Sequence, residues 1–259
     1  GTANAALPGE KSLTAGQNVK LTGSGAMAGA TLAVNALVLD SSGGGIAYNN
    51  AGQTLTLTNS ALLSTGDSAN SLSGGTITAV TNSALGTAYE VILHTARNLS
   101  MTAAVANNGA NAVKLTKAGA GTLTLDSVNT HTGGTYVTDG TLRLASGSTD
   151  ILPDAQHVFV ASGILDLGDH NETIGNLTVY GGKVTGTTGV LTAAGANRVR
   201  LHGGEIAAVL GGGSSGTQQI RMENNVLSGN PSTWTRAVLS GNNAFAGYVE
   251  VVSGILTVT

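Results

Sequence analysis

The chain has 259 residues, 39 of them glycine, with 10% charged residues, 3% aromatics and no cysteine. Two Phe and one Trp are too few to fill the core of an ordinary compact enzyme, and without cysteine there is neither a disulfide framework nor a thiolate metal site. A net charge of −3, from 14 acids and 11 bases, offers no clustered basic footprint for nucleic acid, and no run of 18 apolar residues supplies a membrane-crossing helix.

Mean hydropathy is +0.18, and so little charge at that hydropathy argues against disorder. The chain begins at Gly1 with no Met and no apolar leader, which reads as a processed or excised segment. Residues 1–20, with Pro8-Gly9, read as a looser start. From there the recurring signal is alternation of period two, the pattern of a strand with one buried face. It appears at Thr54–Thr58, Thr122–Leu125, Thr141–Leu144, Ile164–Leu167, Leu177–Val179, Arg198–His202 and Ile255–Val258. The alternation points Leu55, Leu57, Leu123, Leu125, Leu142, Leu144, Leu165, Leu167, Leu256 and Val258 inward. Clusters of Gly, Asn, Ser and Asp at 41–45, 129–134, 146–149 and 211–216 break these strands, and such residues suit tight corners. No helical period persists beyond about one turn, and Pro8, Pro153 and Pro231 all lie outside the strands.

One pattern returns. Asn129, Gly133, Val137, Gly140 and Leu142 recur as Asn243, Gly247, Val251, Gly254 and Leu256, an offset of 243 − 129 = 114 at all five. Short strands with turn signals fit an antiparallel sandwich or a parallel β-helix. The in-phase recurrence favours the helix. With rungs of about 19 to 23 residues the offset is five or six whole rungs, and the chain winds roughly 12 times. The expectation is an all-β fold, a right-handed parallel β-helix (β-solenoid). It forms one domain over residues 1–259, with repeat copies near 117–144 and 231–258.

Residues 119–144, from Gly119-Ala-Gly-Thr-Leu-Thr-Leu through Gly140-Thr-Leu-Arg-Leu144, resemble the autotransporter-associated β-strand repeat of passenger regions in bacterial secreted and surface proteins. Tyr89–Thr95, running into Asn98–Ser100, is similar to the segment that precedes that repeat, and Ser162–Val179 to the one that follows it. The resemblance covers about residues 85–210 and fades over the first 40. The C-terminal copy is degenerate, with Tyr248 where the first has Gly134. The resemblance implies an exported, extracellular or surface-attached protein, and a stalk, scaffold or adhesive role.

Chemistry has few candidates. Asp166, Asp169, His170 and Glu172 could serve as general acid and base or hold Ca²⁺; the plainer reading is an outward Asp followed by a polar turn. Arg198, Arg200 and His202 fall on one outer face, where they could meet an anionic glycan or only solvent. Trp234, Phe245 and Tyr248 are three of the eight aromatics, either a partner patch or a plug for the last rungs. His94, His131 and His157 lack ligand spacing, and Gly211–Gly216 lacks the Lys and helix of a phosphate loop. The expectation is therefore a non-enzymatic structural segment, with no catalytic, cofactor-binding or metal residues and no cofactor. Its partner is another copy of itself, end-to-end or lateral, with surface glycans a further ligand and no nucleic acid or membrane insertion. A glycan-binding or glycan-cleaving β-helix is the alternative.

Overall fold

The computed structural model describes residues 16–27, 32–80, 89–145, 150–195, 199–211, 219–223, 236–241 and 248–259. Every regular element among them is a strand, and no helix is long and apolar enough to cross a membrane. The described residues form two units, 1–134 and 135–259.

Unit 1 carries β1 (Asn18–Leu21), β2 (Gly25–Ala26), β3 (Leu32–Asp40), β4 (Ala47–Asn49), β5 (Thr54–Thr65), β6 (Asn70–Ser73), β7 (Thr76–Ala79), β8 (Glu90–Thr95), β9 (Leu99–Met101), β10 (Ala104–Val105), β11 (Lys114–Ala118) and β12 (Thr122–Leu125). One sheet runs β1-β3-β5-β8-β11 and a second β2-β4-β6-β9-β12. Every pairing within both is parallel. β5 is long enough to serve two neighbours: Thr54–Leu57 pairs with β7, and Ala61–Ser64 with β8. Between the two halves the chain kinks at Ser60, a buried non-glycine residue at φ 66°.

Unit 2 carries β13 (Thr135–Val137), β14 (Thr141–Leu144), β15 (His157–Val160), β16 (Ile164–Asp166), β17 (Glu172–Ile174), β18 (Asn176–Val179), β19 (Lys183–Thr185), β20 (Val190–Ala193), β21 (Val199–Leu201), β22 (Gly204–Ile206), β23 (Val209–Gly211), β24 (Gln219–Met222), β25 (Arg236–Leu239), β26 (Tyr248–Val251) and β27 (Ile255–Val258). Its first sheet runs β13-β15-β18-β21-β24-β26 and its second β14-β16-β19-β22-β25-β27. A third, β17-β20-β23, closes part of the coil. These pairings too are parallel. Each unit is thus a β-solenoid, built as the alternation requires.

Parallel stacking turns alternation into columns. A residue that faces inward on one rung sits over an inward residue on the next, so apolar side chains are shared between layers. Leu55, Leu57, Leu123, Leu125, Leu142, Leu144, Leu165 and Leu167 are all buried, as expected. Leu256 and Val258 are not: Leu256 is half-buried and Val258 is 68% exposed. Both stand on β27, which among the described strands pairs with β25 alone, so within the described residues their column is covered from one side.

The rungs are less uniform than 19 to 23 residues. Asn176 lies opposite His157 and Lys114 opposite Glu90, steps of 176 − 157 = 19 and 114 − 90 = 24. Ala237 lies opposite Gly204, a step of 237 − 204 = 33. The 114-residue recurrence corresponds to five steps, β14 to β27. Followed partner by partner, however, the column of Leu142 passes Leu165, Val184, Ile206 and Leu239 and arrives at Val258 rather than Leu256. The slip is two residues, so inward positions stay inward.

Corners carry the backbone constraints. Entering the second sheet of unit 2, Gly163, Gly182 and Gly204 stack one above another. A Cβ on Gly182 would lie 2.4 Å from the Gly163 carbonyl oxygen, and one on Gly204 2.2 Å from that of Gly182. Gly140 and Gly254 have φ of 61° and 99°, and a Cβ on Gly133 would meet the Lys114 nitrogen at 2.6 Å. Glycine is required at these corners for two reasons, positive φ at Gly140 and Gly254 and lack of room for a Cβ at Gly133. Gly247 and Asn243 lie outside the described residues.

Asn side chains replace backbone partners where the ladder turns. Buried Asn70 accepts from the Ile46 N–H (2.9 Å) and donates to the Leu39 and Thr65 carbonyls (3.1 Å each). Asn107 Oδ1 accepts from Val113 and Thr132 N–H. Corner amides that the sheets cannot pair are satisfied in this way.

Candidate functional site

The four acidic-cluster candidates separate. Asp166 lies on the outer side of β16, where Arg143 on β14 grips one carboxylate oxygen through Nε and a terminal nitrogen, both 2.8 Å away. Its other oxygen accepts from the Gly168 N–H (3.1 Å) and the Thr185 hydroxyl (3.2 Å). That is a cross-rung ion pair with every acceptor occupied. Asp169 is exposed.

His170 and Glu172 are not part of an outward polar turn, as the sequence suggested. They are 6% and 1% exposed. Glu172 opens β17 at an inward position, at the head of a column continued by Leu191 and Leu210. Its carboxyl accepts from the Ile151 N–H (3.0 Å) and the Leu152 N–H (3.2 Å), and its Oε2 lies 3.2 Å from His170 Nε2. Burial pushes the Glu172 carboxyl up to about 8, with the charges of Asp150 and Asp154 adding to the rise. Burial pulls the His170 imidazole below its ordinary value, against the opposing pull of Asp150 and Asp169. A neutral pair sharing one proton fits both directions. The pair pins the 151–152 segment to the third sheet, with both of its side chains buried.

Buried polar residues in unit 1 behave likewise. Lys117, at an inward position of β11, donates from Nζ to the Gly119 carbonyl (2.6 Å) and the Ala118 carbonyl (3.1 Å). His131 is fully buried and held near 4 by desolvation. A groove of about 360 Å³ opens between the corners at Asp67–Ala69, Ala96–Asn98 and Ala120–Gly121. Arg97 at its edge donates to the Gly66 carbonyl. Among the described residues no group of three His, Asp or Glu could hold a metal ion.

The expected cationic stripe is only part of a larger feature. Arg198, Trp234 and Phe245 lie outside the described residues. Arg200 and His202 stand on the outer face of the first sheet of unit 2, and there they join a run of rings. Tyr136 and Phe159 pair across β13 and β15, with ring centroids 5.7 Å apart. Phe159 leads to Tyr180 at 6.0 Å, and Tyr180 to His202 at 4.8 Å. His157 meets the Phe159 ring edge-on and bonds to the Thr178 hydroxyl at 2.8 Å. Burial, and secondarily the charge of Arg200, lowers the His157 imidazole. The sequence reading missed Tyr136, Phe159 and Tyr180 because no short window contains two of them. Their spacing was the available signal: 159 − 136 = 23, 180 − 159 = 21 and 202 − 180 = 22, one rung each.

Two stretches of the chain also match a known repeat. The family model of the passenger-associated-transport-repeat matches residues 115–144 and 236–258. No curated protein and no solved structure matches the chain. The first repeat stretch runs from Leu115 to Leu144 and the second takes in β25 to β27. Each passenger-associated-transport repeat ends on a strand with the bounds expected from alternation, Thr141–Leu144 and Ile255–Val258. The resemblance read from the sequence alone pointed to this same passenger-associated class.

Proposed function

We propose that this chain is a segment of the passenger of an exported bacterial protein, and that its work is mechanical: a stalk or scaffold that spaces and presents other parts at the cell surface. The observation that carries the reading is the coincidence of both passenger-associated-transport-repeat segments with parallel solenoid strands. Ladder hydrogen bonds between successive parallel rungs suit a load-bearing rod. Asp166 is locked to Arg143 and the Glu172–His170 pair is enclosed, and both arrangements support a structural role for the acidic residues.

Self-association belongs to the same reading. β26 and β27 leave Val249, Val251, Ile255 and Val258 exposed, an apolar strand edge suited to a further rung, from the same polypeptide or from a second copy. Sedimentation over a range of concentrations tests the second source. A single monomeric species at the highest concentration rejects it.

Antibodies raised against residues 16–259 test the passenger reading on intact cells that make the protein. Surface labelling, together with removal of the epitope by external protease, is the expected result. An epitope seen only after lysis rejects it.

A further inference from the structure

We propose that the outer face of the first sheet of unit 2 binds an acidic polysaccharide, one whose sugars carry uronate carboxylates. The inference does not depend on the passenger reading. A stalk needs no ligand, and this face has features that stacking alone leaves unexplained.

The chain has eight aromatic residues, and three of them, Tyr136, Phe159 and Tyr180, line up on consecutive rungs of one outer face and continue into His202. The planes of successive rings are tilted by 34 to 37° from one another. Tyr180 remains 43% exposed. Rings whose centroids follow one another at 4.8 to 6.0 Å on consecutive rungs are commensurate with successive pyranose rings, whose C–H faces stack on aromatic side chains.

Charge selects the class of glycan. Arg200 stands on β21 within this run, and its charge is felt at His157. No described carboxylate forms an ion pair with it. Two other described arginines of unit 2 are neutralised, Arg143 by Asp166 and Arg221 by Glu223 and Glu250, while Arg236, which like Arg200 has no described ion pair, stands on β25 of the second sheet. A guanidinium is a fork for a carboxylate. On this face it stands beside rings that accept sugar faces, and the two together describe a uronate-bearing chain.

Binding of galacturonate oligomers and of neutral galactose oligomers to the full chain, measured by titration calorimetry at low and high salt, tests the proposal. The variants are Tyr180→Ala, Arg200→Gln and, as a charge-matched control on another sheet, Arg143→Gln. The galacturonate oligomers bind saturably and the neutral ones far more weakly. Tyr180→Ala and Arg200→Gln each weaken binding by about tenfold, the scale of one such contact. Arg200→Gln also reduces the salt dependence, and Arg143→Gln leaves affinity unchanged. Hydroxyl-radical footprinting of the wild-type chain provides a readout free of folding defects, with Tyr136, Phe159 and Tyr180 protected by the oligomer. Absence of saturable binding overturns the proposal. So does equal affinity for neutral oligomers, an equal effect of Arg143→Gln, or protection of Tyr180 that follows protein concentration instead of glycan, which would make the face a contact between copies.

Discussion

Glu172 occupies a place where the alternation asks for an apolar side chain, and its column continues in Leu191 and Leu210. The two N–H donors of Ile151 and Leu152 and the imidazole of His170 satisfy its oxygens, which is what makes a buried carboxyl tolerable. Its effect on stability has a definite sign. The folded state raises its pKa from 4.5 to about 8, so its contribution is fully present below 4.5 and is lost as pH rises through 8. His170 acts in the opposite sense: its folded value is lowered, so its contribution is lost as pH falls. The melting temperature of the wild-type chain should decline from mildly acidic pH to pH 8. Glu172→Gln, which cannot ionise, should flatten that alkaline limb and leave the acidic one. Thermal melts across the pH range, followed by circular dichroism, check this. An unchanged alkaline limb in the variant would show that other groups set it.

The elements make sharper demands than their length suggests. At the glycine column of unit 2, Gly204→Ala combines φ of 85° with a Cβ 2.2 Å from the Gly182 oxygen. It should destabilise by more than about 3 kcal/mol, because strain and overlap add. Gly168→Ala is the control: φ is 57° but nothing lies within 4 Å of the new Cβ, so the cost should be about 1 kcal/mol. Denaturant titration of both variants separates conformational strain from crowding. In unit 1, Leu125 is 1% exposed and sits in register with Met101. Leu125→Asp puts an unpaired charge into that narrow core and should cost several kcal/mol, seen as loss of the cooperative melt in β9 and β12. A melt like that of the wild type would mean that the leucine column is not what holds these rungs. The strands Thr122–Leu125, Thr141–Leu144 and Ile255–Val258 were legible to the residue, because an apolar residue fills every second place there and a glycine, Gly121, Gly140 or Gly254, stands just before each. Lys114–Ala118 was not, since inward Lys117 breaks the apolar rhythm. Glu172 was misplaced for the same reason: a charged residue type reads as solvent-facing until the N–H groups of Ile151 and Leu152 that bind it, 21 and 20 residues away in sequence and so invisible to any local window, are known.

At the scale of the whole molecule, stability in a solenoid is the sum of what each rung makes with its neighbours. Parallel β-helices also support glycan-cleaving enzymes, and the alternative has a direct test. Reducing-sugar and unsaturated-product assays on acidic and neutral polysaccharides should show no turnover by the wild-type chain. Turnover that Asp166→Asn or Glu172→Gln abolishes would replace the structural reading with an enzymatic one. The aromatic run belongs to this scale too. It exists only because rungs of similar length bring residues 136, 159, 180 and 202 into line, and a linear reading sees four scattered rings.

The uneven steps between partners, 19 residues in one place and 33 in another, leave the inward columns in phase. Longer connections between paired strands cost little, because closure entropy grows only slowly with length. Such a body tolerates grafting. A peptide or small domain spliced into a corner on the solvent side changes no pairing above or below it. Whole rungs can be added or deleted as units, provided that the glycine or asparagine at each corner travels with them. Descendants of such a chain can therefore diverge in reach and in displayed cargo while the columns beneath stay the same.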